Sequence, residues 1–378
     1  MTVLADVLQP LAGAIPSSLV SPASLAAIAA TVRDLPGELT DHFGFECALG
    51  DATPTADFAL AIVPQEGESA LLGCEHLPAA YLAHPVWDRL RQFSALWAEP
   101  GSPLHGNVRI LCLELDLRDT SPSAVPVPSA FFAPCRGLTR TDADGDGLSE
   151  AWVLEPAIRL LRGRVLPPAT ARAVTGCVGA LPPAAHVFQV GLMLARPVDA
   201  VRLCVRGLEF SDLPGYLARV GWPGTWDEAR TALAPFAELA TQTALHLDVG
   251  SEVYPRIGLE CYLGAPDGSD WSPTATAFLD GLVGAGLCVP SKRDGLLAWP
   301  GEQRLTADSV ALPPGVAARA RLLSRAAFTI YCREMNHVKL NFTPGRPLEA
   351  KAYVGVVLRW RLGRTGTAPS LTLSQADW

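Results

Sequence analysis

The chain has 378 residues, 49% of them apolar and only 18% charged, which is ample material for one large core. A net charge of −8 excludes a nucleic-acid binder resting on Lys/Arg contacts to phosphate, so an anionic ligand would need a local cationic site. Nine scattered cysteines without a CxxC pair, no basic leader and no apolar run of membrane-spanning length lead to the expectation of a reduced, cytoplasmic chain.

From the N-terminus the hydrophobic period alternates between helical and extended. Residues 24–32 read as an Ala-rich helix, followed by a hairpin of 43–50 with 56–63. Residues 86–98 place Trp87, Leu90, Phe93, Leu96 and Trp97 on one helical face, and the second hairpin pairs 108–117 with 129–133. The Pro-rich stretch 121–128 reads as the loop between those strands, or as a flap over one end of the sheet. Helices over 148–161 and 169–181 precede the third hairpin, 187–195 with 200–206. The next helix, 226–239, has Thr225 as N-cap and Glu228 three residues on, which is a capping box; the fourth hairpin, 244–249 with 256–263, follows. Helices over 273–287 and 316–333 lead to the last hairpin, 336–342 with 350–358.

Five αββ units supply ten antiparallel strands, enough to close a wide barrel with the helices packed outside. The expected fold is α+β and a single domain, 1–378: a helical segment (1–42), the barrel with its outer helices (43–360) and a tail (361–378). One face of every hairpin is unusually polar. A soluble sheet turns such a face to water, but a barrel jacketed by helices turns it into the lumen, where a ligand can sit.

Alternation assigns the lumen residues. They are Glu46 and Asp57; Cys112, Glu114 and Asp116; Gln189, Gly191 and Met193 with Arg202, Cys204 and Arg206; His246 and Asp248 with Arg256, Glu260 and Tyr262; and His337, Lys339 and Asn341 with Lys351 and Tyr353. Arg202, Arg256, Lys339 and Lys351, interleaved with the phenols of Tyr262 and Tyr353, suit a diphosphate, whose charge needs several charge-assisted hydrogen bonds at once. The alternative is a set of lumen salt bridges, because Glu114, Asp116, Asp248 and Glu260 lie on the same surface. The cations fall mainly on the last three hairpins, and Glu46, Glu114 and Asp116 on the first two, so the lumen is expected to have one cationic and one acidic side.

This organisation resembles the ABBA-type aromatic prenyltransferases, whose α-β-β-α units close into a ten-stranded barrel. The FGFECAL run beginning at Phe43 looks like the indole-prenyltransferase motif with a Glu on the first strand, and the resemblance implies that Glu46 bonds an indole N–H and helps take its proton. RIGLECY, from Arg256 to Tyr262, is similar to the family's basic strand ending in Tyr, and Lys351-Ala-Tyr353 resembles its Lys-x-Tyr signature for diphosphate. Two departures stand out: ADFALAIV lacks the basic residue usual on the second strand, and Glu260 stands where a Lys is expected. The implied reaction moves a dimethylallyl or longer prenyl group from an allylic diphosphate to an indole or phenol, free or within a peptide. Glu46, Glu114 and His246 are its candidate acid–base groups. Other chemistry in such a barrel (terpene cyclisation or peptide modification) and a non-catalytic ligand- or peptide-binding barrel remain the competing readings.

The run from Asp142 to Gly147 resembles the start of a calcium loop, but the twelfth position is Val153 rather than a carboxylate. It reads as an acidic turn capping the following helix, with an atypical Ca²⁺ loop as the alternative. No HExxH, P-loop or GxSxG signature is present, and the His residues lack metal-ligand spacing, so no metal site is expected. The scheme requires no cofactor; Mg²⁺ or Ca²⁺ is compatible with it, but no motif calls for either. Arg319, Arg321 and Arg325 read as a solvated helix face.

Overall fold

The alternation of apolar and polar residues in each hairpin gives every strand one face for a core and one for something else. The barrel is what lets both faces be buried. In the computed structural model, residues 3–64, 77–117, 125–143, 148, 153–196, 198–264, 274–304 and 327–362 are described. The strands are β1 His42–Ala48, β2 Ala56–Ile62, β3 Val108–Leu115, β4 Ser129–Pro134, β5 His186–Leu192 and β6 Val201–Arg206. They continue as β7 Gln242–Val249, β8 Val253–Tyr262, β9 Gly301–Arg304, β10 Ala327–Phe342 and β11 Glu349–Leu362. Strands β1 to β8 follow one another around the ring, β10 pairs with β8, β11 with β10, and β1 closes on β11, every pair antiparallel. The result is the ten-stranded barrel expected from the five hairpins; β9 pairs only with the first part of β10 and stays outside the ring.

The jacket holds α1 Leu4–Leu8, α2 Pro22–Val32, α3 Ala79–Leu82, α4 Pro85–Ala98, α5 Ala157–Arg162, α6 Pro168–Gly179, α7 Leu213–Arg219, α8 Trp226–Ala237, α9 Thr274–Gly284 and α10 Pro290–Ala298. Its apolar faces rest on the outward side of the strands, so the main core is an annulus around the barrel. The α4 stripe supplies Phe93, 6.1 Å from Phe132 of β4, and Trp97, whose indole donates to the Val108 carbonyl at 2.8 Å. Phe236 of α8 meets Phe278 of α9 at 5.6 Å, and Trp222 meets Phe342 of β10 at 6.1 Å. Fully burying such a side chain contributes about 1.5–3 kcal/mol, so the annulus is the main source of cohesion.

The five hairpin turns all fall at one end of the barrel, leaving the helical crossovers at the other. Lys292 of α10, fully buried, ties the first turn to the jacket by donating to the carbonyls of Ala48 at 2.6 Å and Thr53 at 2.8 Å.

Three sequence expectations change. The helix expected over 148–161 is not continuous: Leu148 is helical, but 153–155 form a turn and a new helix starts at Ala157, because Pro156 lacks an N–H and disfavours a helical residue before it; residues 149–152, like 144–147 of the acidic run, lie outside the described residues. Residues 327–333, expected at the end of a helix, belong to β10, where pairing with β11 and β9 overrides local preference; 316–326, with Arg319, Arg321 and Arg325, lie outside the described residues. Thr225 makes no cap bond to the backbone of α8. Its hydroxyl lies 3.5 Å from the Glu228 carboxylate, whose other oxygen accepts from the Gly345 N–H at 2.8 Å. Of the Pro-rich stretch, 121–124 lie outside the described residues, while the Pro126 carbonyl accepts from the Trp87 indole at 2.8 Å.

Candidate active site

The strand register brings the polar residues chosen by alternation onto one continuous inner surface. One row of partners runs Asp57–Glu46–Tyr353–His337 across β2, β1, β11 and β10. A second runs Lys351–Lys339–Glu260–Ala244, and a third Cys112–Phe131–Gly191–Arg202–Asp248. Directly paired residues in an antiparallel ladder share a face, so all of these point inward.

At the hairpin end lies a cavity of about 1150 Å³, lined by the rim of the barrel and by α2 and Tyr81 of the jacket; its charged lining includes Lys351, Asp57, Asp116, Arg196, Arg256 and Glu349 from the strand ends and turns, and Arg33, Asp34 and Asp51. Just inside, Lys351 Nζ donates to Glu46 Oε1 at 2.5 Å and the Tyr353 hydroxyl donates to Glu46 Oε2. Burial and the neighbouring Glu46 charge hold the Tyr353 phenol well above its ordinary range, so it acts as a donor rather than as an anion. At the rim Arg196 makes a bidentate pair with Asp116 at 2.6 and 2.7 Å, and Arg256 lies 3.4 Å from Glu349. These rim pairs are the exposed ones, with side-chain exposures of 39% and 23% for Arg196 and Asp116 and of 41% and 64% for Arg256 and Glu349.

Deeper in, Glu260 organises a buried network. The Tyr262 hydroxyl donates to its Oε2 at 2.8 Å while itself accepting from Arg206 at 2.6 Å. His246 Nε2 lies 2.7 Å and His337 Nε2 3.3 Å from its Oε1. Lys339 Nζ stands 2.5 Å from His246 Nδ1. Lys can only donate and the Glu260 carboxylate only accept, so this order fixes His246 as the neutral Nε2–H tautomer. Burial lowers both imidazoles to about 4, outweighing the opposing pull of Glu260. Burial and Arg202 lower Lys339; although burial alone would raise Glu260, the two histidines hold it well below the usual carboxylate range. His337 stacks on Tyr353 with ring centroids 4.3 Å apart, joining this network to the Glu46 group. Arg202 forms a bidentate pair with Asp248 at 2.8 and 2.9 Å. Glu114, between these groups, is pushed up to about 7, first by burial and then by Glu46, and so can exchange a proton near neutral pH.

The nine candidates therefore share one lumen but not one cluster. Glu46, Lys351 and Tyr353 meet directly; Tyr262, His246 and Lys339 meet through Glu260; Arg202 is held by Asp248; Arg256 stands at the rim. The expected cationic and acidic sides do not exist, because each of these cations sits beside a carboxylate or an imidazole. The sequence reading missed Arg196, which lies on the turn after β5, where alternation no longer applies. It also missed the Glu260 network, although its sign was present as an acid where a Lys was expected. Among the described residues no group of three or more His, Cys, Asp or Glu could hold a metal ion, no helix is long and apolar enough to cross a membrane, and the eight described cysteines are unpaired thiols.

No protein-family model matches the sequence, and no curated protein matches it. Among solved structures it is similar to the crystal structure of the apo form of the prenyltransferase PriB, at 15% identity and a TM-score of 0.47, covering 94% of this chain and 96% of that one.

Proposed function

We propose that the barrel transfers a prenyl group from an allylic diphosphate to an aromatic acceptor, an indole or phenol, free or within a peptide. The observation that carries this reading is the convergence of Lys351 Nζ and the Tyr353 hydroxyl on one carboxylate, Glu46, with Lys351 itself lining a large cavity at the hairpin end. Two donors fixed on one strand hold an anionic group there, and a diphosphate oxygen taking the carboxylate's place meets the same two donors. Arg196 and Arg256 add charge at the rim. Their ion pairs are exposed and contribute about 0–1 kcal/mol each, so exchanging a carboxylate for a diphosphate there costs little.

In the reaction the carbon–oxygen bond to the diphosphate breaks and its electron pair leaves on phosphate oxygen. A ring carbon of the acceptor then bonds the allyl cation and afterwards loses its proton. Glu46, freed from Lys351 and Tyr353, orients the acceptor N–H or O–H, and Glu114, with its carboxyl near 7, receives the proton. His246 is a reserve proton carrier on the same wall, and Arg202, Lys339 and Tyr262 raise the local positive potential or hold those that do.

The test is incubation with dimethylallyl and geranyl diphosphates and a panel of indoles, phenols and peptides, with and without Mg²⁺, read by mass spectrometry and calorimetry. Lys351→Ala and Arg256→Ala weaken diphosphate binding, and the loss of either cation lowers turnover by roughly 10²–10³; Glu46→Ala spares binding and slows turnover. Equal binding losses in all three variants refute this division of roles. No diphosphate binding together with no mass gain sinks the proposal. A non-catalytic binding barrel is favoured by one observation, the saturation of Arg202 by Asp248; diphosphate binding without mass gain on any acceptor selects it.

A further inference from the structure

The cavity at the hairpin end is lined by charges of both signs, and their pairing is what an incoming anion disturbs. Arg196 holds Asp116 at 2.6 and 2.7 Å, Arg256 lies 3.4 Å from Glu349, and Lys351 holds Glu46. Asp57 accepts from the Leu117 N–H at 2.8 Å, which sets it beside Asp116. Asp51 lies 3.8 Å from Lys292, whose own hydrogen bonds go to the Ala48 and Thr53 carbonyls. On the jacket side, just past α2, Arg33 stands 3.8 Å from Asp34.

A diphosphate that takes Arg196, Arg256 and Lys351 exchanges their partners but does not remove the carboxylates. Asp116 and Glu349 keep their charge, and Asp57 and Asp51 line the same cavity. Glu349, 64% exposed at its side chain, can turn to water. Asp116 is only 23% exposed and Asp57 7%, so both keep facing the cavity. Among the described residues Arg33 is then the lining cation left over, and Asp34 already stands against it. A cleft lined by one sign of charge focuses its field inward and gathers ions of the other sign. With an anion seated on the three cations, the outer cavity therefore attracts a cation.

Register gives the spacing. Glu46 pairs with Asp57 across β1 and β2, and Asp116 follows the end of β3, one strand further on. Two strand spacings, roughly 10 Å, therefore separate the backbones that carry Glu46 and Asp116. An aromatic ring whose N–H meets Glu46 and whose short arm ends in an ammonium group spans the gap between those side chains. A carboxylate on the same arm meets Asp57 and Asp116 as like charges. We infer that the carboxylates released by the diphosphate, Asp116 above all, form with Asp57 the site for a cationic group on the acceptor, so that the acceptor is an aromatic ammonium compound and donor binding builds its site. The inference rests on the prenyl-transfer reading and adds to it the charge of the acceptor and a coupling between the two substrates.

The experiment titrates the full chain with tryptamine, 3-methylindole and indole-3-propionate by calorimetry, without and with saturating inorganic diphosphate. Inorganic diphosphate carries the charge of the donor without its chain, so contacts with hydrocarbon do not enter. Tryptamine should bind about tenfold more tightly with diphosphate present, within the range of about 5–150-fold typical of coupled sites. The neutral 3-methylindole should change by less than about twofold, and indole-3-propionate should bind more weakly. Coupling is reciprocal, so tryptamine should strengthen diphosphate binding by the same factor. Direct attraction between the two ligands would have the same sign, and the double variant Asp116→Asn, Glu349→Gln separates the causes. It has no rim carboxylates to displace, so it should bind diphosphate more tightly than the wild type, and diphosphate should alter its tryptamine affinity by less than about twofold. If diphosphate binds the wild type but leaves tryptamine within about twofold, or if the double variant keeps the full coupling, the inference is wrong and the donor site stands. If dimethylallyl diphosphate binds and inorganic diphosphate does not, charge alone does not exchange the rim partners and the inference again fails alone. If neither binds, the prenyl-transfer reading fails with it.

Discussion

Glu260→Gln removes one charge from the middle of the barrel while nearly preserving shape, and the consequence can be worked out from its neighbours. The carboxylate is 5% exposed; it accepts from the Tyr262 hydroxyl at 2.8 Å and lies 2.7 and 3.3 Å from the Nε2 atoms of His246 and His337. An amide offers only one acceptor oxygen, and its NH₂ must then face a donor. A hydrogen bond to a charged group contributes about 1.5–3 kcal/mol, and removing one partner of a buried ionic set costs about 3–5 kcal/mol because the rest stays buried and unpaired. Lys339 and Arg206, held through His246 and Tyr262, are the cations left behind. These contacts act as a unit and do not add, so the expected loss is about 3–5 kcal/mol in total, a sizeable share of the roughly 5–15 kcal/mol that holds a domain together. Urea unfolding at neutral pH, followed by tryptophan fluorescence, should show a lower midpoint with an unchanged slope. A loss below about 1 kcal/mol, the scale of an exposed pair, would mean that water reaches Glu260 and that the network described above is wrong.

Three further outcomes follow. His246, His337 and the buried His42 of β1, lowered to about 4, about 4 and about 3, bind protons more readily in the unfolded chain than in the folded one, so their stabilisation is complete above pH 6.5 and is lost as pH falls from there toward 4. Glu260, also depressed, acts with the same sign below about 4.3, while Glu114, raised to about 7, opposes them between about 7 and 4.3; three histidines outweigh one carboxyl, so denaturation midpoints should decrease between pH 6.5 and 4, and a flat profile there refutes this. Lys292→Met leaves the Ala48 and Thr53 carbonyls without their donor and should cost about 1–3 kcal/mol, with faster proteolysis at the first hairpin turn as the local readout. Phe132→Ala empties a site in the outer annulus beside Phe93 and should lose about 3–5 kcal/mol on denaturation while leaving ligand affinity unchanged, because Phe132 faces away from the lumen.

The barrel was legible because its signal is local. A period of two with short turns, repeated five times, fixes which residues share a face, and the ladder from Glu46 to Tyr353 to His337 agrees with faces assigned from each strand alone. Partnership between strands two apart was not legible. His246 of β7 and Lys339 of β10 lie 93 positions apart and meet at 2.5 Å over Gly258 of the intervening β8, whose missing side chain leaves them room. Alternation also fails where strands end, which is why Arg196 escaped, and a helical pattern rich in Arg and Ala concealed the start of β10, whose pairing on both sides decided its structure.

The carboxylates that make this lumen unusual are better understood as counter-ions graded by depth. Glu260, whose side chain is 6% exposed, is buried with its partners, and displacing it would strand a charge at a cost of several kcal/mol, so Lys339 is poorly placed to bind a new anion. Glu46 and Asp248 are intermediate, with side chains 12% and 16% exposed beside Lys351 and Arg202 at 20% and 15%. Asp116 and Glu349 at the rim are the readiest to give way. An incoming diphosphate therefore meets displaceable partners first at Arg196 and Arg256, then at the level of Lys351, Tyr353 and Arg202, and stops at Glu260, where the carboxylate can no longer leave. On this ordering the acid at position 260 does not spoil an anion site; it marks the floor beneath one.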